Sequence, residues 1–78
     1  MKYLVVDELK RMDTFIDEYN NKEEAIQAAK RDFDMLVDTD KKERMNFFVL
    51  ESVNPDEEAE NHWDGDIICE FMRDGKEV

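Results

Sequence analysis

The sequence predicts an α+β fold: an antiparallel sheet of three to four strands with one helix packed on one face. Three observations predict it. Runs rich in β-branched and aromatic residues stand at 2–8 and 45–53. One amphipathic stretch with a helix-start signal stands between them, at 21–36. Gly occurs only at 65 and 75 and Pro only at 55, so each marks a local break.

Residues 2–8 read as a strand through Tyr3, Leu4, Val5 and Val6. Residues 13–19 alternate in part, with Phe15 and Tyr19 on one face, Asp17 between them and Ile16 on the other. This second run pairs with the first through a turn at 9–12. Asn21 followed by Glu24 has the spacing of a capping box, and Glu23 and Glu24 suit the positive end of the helix dipole. Ala25 or Ile26, Ala29, Phe33 and Leu36 or Val37 then form one apolar stripe.

Residues 38–44 read as a charged connection, and 45–53 as the strongest strand. Asn54-Pro55-Asp56 predicts one short helical turn over 55–60. Ile67 to Met72 is the last strand, and Asp74-Gly75 begins a frayed tail. The order is β-β-α-β-β in a single domain, 1–78. Without the first pairing, a three-stranded β-α-β-β sheet remains.

One helix covers one sheet face only. Yet strict alternation puts large apolar groups on both faces of the two C-terminal strands. Phe48, Leu50, Ile68 and Met72 are therefore expected to share an exposed apolar patch, the surface for a protein partner or a second copy of the chain. The competing expectation is that a loop or the C-terminal tail folds over that side.

The 78 residues include 22 acids and 11 Lys or Arg, for a net charge of −11. Between 45 and 72 there are eight acids and no base. Such a field repels nucleic acid and membrane surfaces and attracts basic partners. Four of these acids, Asp56, Glu57, Glu58 and Glu60, form a candidate docking segment; the plainer reading is a solvated loop that keeps the protein soluble. No apolar run approaches the ~20 residues of a membrane span. The first residues also carry acid too early for a signal peptide, so a cytoplasmic location is expected.

No motif for catalysis or for a cofactor stands out. Two distant glycines exclude a phosphate-binding loop. Gly65 placed at the sixth position of a calcium loop would put Phe71 where a Glu is required. Loose divalent-cation binding by Asp56, Glu58 and Asp64 stays open. Cys69 with His62 makes a nominal thiolate dyad. However, Cys69 in an alternating strand reads better as a small buried hydrophobe. Trp63, beside His62 in a polar loop, suits either a contact surface or the cover of a core edge, and both residues are candidate contacts.

The runs Asn21-Lys22-Glu23-Glu24-Ala25-Ile26-Gln27-Ala28-Ala29 and Phe48-Val49-Leu50-Glu51-Ser52-Val53-Asn54-Pro55-Asp56 resemble small uncharacterised acidic proteins of bacteria, phages and mobile elements. The resemblance covers much of the chain and carries no catalytic or ligand residue with it. It does imply a mobile-element inhibitor that mimics nucleic-acid charge as one role to weigh.

The leading expectation is a small non-enzymatic module that binds a protein partner, or itself, through an apolar sheet face. The alternative is a nucleic-acid mimic that docks its acidic 45–72 segment on a basic protein groove.

Overall fold

The computed structural model describes residues 2–52 and 65–78. Strands β1 (Lys2–Leu9) and β2 (Thr14–Tyr19) pair antiparallel, with Val5 opposite Asp17 and Asp7 opposite Phe15. Their connection is tight without an Asn-Gly pair. Met12 takes φ 72°, its N–H donates to the Leu9 carbonyl, and the Leu9 N–H donates to the Asp13 carbonyl.

Helix α1 (Lys22–Asp34) starts as the sequence predicts. Asn21 is extended, and its Oδ1 accepts from the Glu24 N–H at 3.2 Å. Ala25, Ala28, Ala29 and Phe33 are its buried positions. The expected charged connection is instead a second, five-residue helix, α2 (Asp38–Lys42). Acids in its first turn and lysines in its last complement the helix dipole, which is how so polar a run becomes helical. Lys41 of α2 lies 4.8 Å from the Phe33 ring centroid.

Strand β3 (Arg44–Ser52) lies at the centre and pairs with β1 and with β4 (Gly65–Arg73). A fifth strand, β5 (Lys76–Glu77), follows where a frayed tail is expected. Asp74 and Gly75 take φ 52° and 82°. Two consecutive positive φ values make the two-residue turn whose twist matches an antiparallel hairpin. Glu77 then accepts an ion pair from Lys41 at 3.0 Å, fastening β5 to α2. Among the described residues the sheet is five-stranded and antiparallel in the order β2-β1-β3-β4-β5, so the fold is α+β, with β5 and α2 added to the expected β-β-α-β-β order. The short helical turn expected at 55–60 lies outside the described residues.

The helix side of the sheet holds the larger core. Val5, Phe47, Val49 and Met72 pack against Ala25, Ala29 and Phe33. Phe33 and Phe71 both lie against Phe47, with ring centroids 5.5 and 5.6 Å from it. On the opposite side Leu4, Val6, Phe48 and Leu50 form a second cluster, joined by half-buried Ile16.

Strand β4 does not alternate strictly. Its pairing with β3 shifts between Phe47 and Phe48 and again between Val49 and Leu50. Each shift inserts one extra β4 residue, Phe71 and Ile68 respectively. As a result Ile68, Cys69, Phe71 and Met72 all join the helix-side core. Close approach of strands also explains Gly65, where a Cβ would stand 1.9 Å from the Glu51 carbonyl oxygen.

Candidate interaction cleft

The expected apolar patch does not form. Phe48 and Leu50 point away from α1 and are buried, at 9% and 2% exposure. Ile68 and Met72 belong to the helix-side core, and Met72 is 2% exposed. The four residues thus lie on opposite faces of the sheet, because the two bulges in β4 carry Ile68 and Met72 to the helix side. Asp56, Glu57, Glu58, Glu60, His62 and Trp63 lie outside the described residues, as does any dyad of His62 with Cys69. Cys69 itself is partly buried against the helix-side core, as a small hydrophobe would be.

The pairing registers define rows across the helix side. Tyr19, Tyr3, Glu51 and Asp66 make one row; Asp17, Val5, Val49 and Cys69 the next; Phe15, Asp7, Phe47 and Met72 the third. Apolar groups fill the centre of this surface, and acids or aromatics stand at its margins. Glu51 and Asp66 face each other directly, a like-charge cross-strand pair.

One acid, Asp7, stands well inside. It shares a face with Val5 and Phe47, so it needs a partner. Arg44 supplies one. Its Nε donates to Asp7 Oδ1 at 2.9 Å and its Nη2 to Oδ2 at 3.2 Å, while Nη1 donates to the Asp40 carbonyl at 3.2 Å. The guanidinium thereby ties β1, β3 and α2 together in a bidentate pair. Burial raises the Asp7 carboxyl above its ordinary value; the Arg44 hydrogen bond and charge oppose this in part, and the charge of Asp32 adds to it.

Above this pair lies a cleft of about 200 Å³, between the β2 margin and the C-terminal part of α1. Val5, Phe47 and Leu36 line it with apolar surface, Asp7 and Arg44 form a neutral pair within it, and Phe15, Asp17 and Asp32 complete the lining. Phe15 is 58% exposed, unusual for a large aromatic on a small domain. Among the described residues Asp32 has one ion-pair contact, a long 3.8 Å approach to neighbouring Arg31. The cleft therefore combines apolar walls with two carboxylates that Arg44 does not neutralise. That arrangement suits the aliphatic stem and cationic head of a Lys or Arg side chain.

Sequence reasoning finds the Phe15-Asp17 alternation but not the cleft. The available signal is parity: Asp7 lies two residues beyond Val5, so an acid on the buried face implies a basic partner elsewhere in the chain. Among the described residues, no group of three or more His, Cys, Asp or Glu is arranged to hold a metal ion. No helix among them is long and apolar enough to cross a membrane. Comparison with protein-family models, with curated proteins and with solved structures finds no match.

Proposed function

We propose that this chain is a small acidic, non-catalytic interaction module that binds a basic protein partner. The observation that carries this reading is the cleft: exposed Phe15 and the carboxylates of Asp17 and Asp32 beside a floor of Val5, Leu36 and Phe47. The net charge of −11 supports it, since a field of that sign draws basic partners and slows acidic ones. The opposite sheet face is a weaker candidate, because Leu4, Val6, Phe48 and Leu50 at its centre are buried within the single chain.

The mimic reading rests on acids at 45–72. The described ones are divided: Glu51 and Asp66 fall in a helix-side row, while Glu70 stands opposite Phe48 and pairs with Arg73. This division favours the cleft over a continuous acidic strip.

The test is capture of a partner by the tagged full chain, then titration of the purified partner at about 0.1 M and about 1 M salt. A basic protein that binds stoichiometrically and more weakly at high salt supports the reading. Absence of any stoichiometric partner at low salt overturns it.

A further inference from the structure

The cleft opens beside a sheet margin that pairs with no further strand among the described residues. Strand β2 ends the strand order. The Leu9 N–H donates to Asp13, so strand alternation directs the backbone groups of Tyr3, Val5 and Asp7 toward β2. Phe15, Asp17 and Tyr19 accordingly bond inward to β1. The N–H and C=O groups of Thr14, Ile16 and Glu18 face outward.

Exposed edges are usually guarded by charge, commonly Lys. Residues 13–19 contain three acids and no base. Asp13 is paired with Arg11 at 2.8 Å, and Glu18 with Lys2 at 3.1 Å. Asp17 has no ion-pair partner among the described residues, and it lies on the cleft side of the strand.

We infer that β2 accepts an extended basic segment of a partner protein as an added strand, with a Lys or Arg seated between Asp17, Asp32 and Phe15. This deepens the interaction-module reading and rests on it. The geometry favours that position. Because Thr14, Ile16 and Glu18 would make the ladder bonds, residues facing Phe15 and Asp17 are non-hydrogen-bonded pairs, where side chains approach most closely. A basic residue there meets Asp17 head-on, and its stem crosses the exposed Phe15 ring. A second copy of this chain is a poor occupant, since it offers the same acidic edge and the same net charge.

The probe is a short capped peptide alternating Lys and Val, with a Glu and Val peptide as control. Addition of the Lys peptide to the full chain is expected to slow amide exchange at Thr14, Ile16 and Glu18 and to shift the resonances of Phe15, Asp17 and Asp32. Asp17→Asn with Asp32→Asn changes one exposed and one half-exposed carboxylate to an amide of the same shape and is expected to weaken binding about tenfold or more. Glu18→Pro removes one outward donor while sparing the β1 ladder, and is expected to weaken binding with little change in the melting temperature.

The inference is overturned if the Lys peptide leaves those three amides unprotected, if the double Asn variant binds equally well, or if protection appears only with concentration-dependent dimerisation. A stoichiometric basic partner that leaves the β2 amides exchanging freely would overturn the added-strand mode while sparing the interaction-module reading. Failure to find any such partner would remove that reading itself.

Discussion

Arg44 grips both carboxylate oxygens of Asp7 across two neighbouring strands, with the two side chains only 14% and 18% exposed. The same guanidinium holds the Asp40 carbonyl of α2. Removing the cation while keeping its bulk, as in Arg44→Met, strands a half-buried carboxylate and a backbone carbonyl. A loss of about 1–3 kcal/mol is expected from equilibrium denaturation at neutral pH. Arg44→Lys should recover only part of it, because an ammonium cannot reproduce the two-pronged contact.

The pH dependence follows from the same carboxyl. Burial raises Asp7 above its ordinary 3.8, so between that value and the raised one the folded protein binds more protons than the unfolded chain. Stability from this group is complete below 3.8 and is lost as pH rises through the raised value. The stability difference between the native chain and Asp7→Asn should therefore shrink across that interval as pH increases. Denaturant titrations of both proteins at several acidic pH values measure it, and a difference that grows with pH contradicts the assignment.

The cross-strand acids Glu51 and Asp66 repel each other. Asp66 is exposed, so Asp66→Lys replaces a like-charge pair with an opposite-charge one at little structural cost. A gain of roughly 0.2–1 kcal/mol is expected, smaller in high salt. Melting curves at two ionic strengths read both the gain and its screening.

Gly75 occupies φ +82°, and a Cβ there would come within 3.0 Å of Lys10 Cε. Gly75→Ala should cost about 1–2 kcal/mol. The loss should appear first as faster amide exchange in β5, since Gly75 N–H also donates to the Met45 carbonyl at 2.8 Å. Unchanged exchange at Lys76 and Glu77 would argue against the turn assignment.

Phe33 joins α1 to the sheet through Phe47 and Phe71. Phe33→Ala should remove about 3–5 kcal/mol, enough to unfold much of so small a domain. Phe33→Leu keeps most of the volume and should retain the fold, while losing the stacking beneath Lys41.

Local signals carry far in this sequence. Asn21 and Glu24 announce the helix start, and the runs around Val5 and Val49 announce the two central strands. Elements that depend on context are harder to see. The polar run of α2 has no apolar stripe, and its helix is visible mainly through the order of its acids and lysines. Asp74-Gly75 is a strong hairpin signal, but β5 is only two residues long and leaves little apolar pattern to pair with it. Strict alternation misplaces Ile68 and Met72 because β4 contains two extra residues that no composition rule reveals. The cleft depends on pairing register, which brings Asp7 to Arg44 from 37 positions away.

The doubled positions in β4 also decide what a change in chain length would do. Opposite Val49 and Leu50, the flanking residues Cys69 and Ile67 already have partners, and Ile68 is the surplus between them. Excising Ile68 would let that stretch run straight and leave both neighbours facing the same partners, and excising Cys69 would do the same with Ile68 seated opposite Val49 in its place, whereas excising Val49 would remove a residue paired on both sides, with Val5 and with Cys69. A one-residue shortening is thus tolerable at the doubled positions of β4 and costly at the fully paired centre of β3.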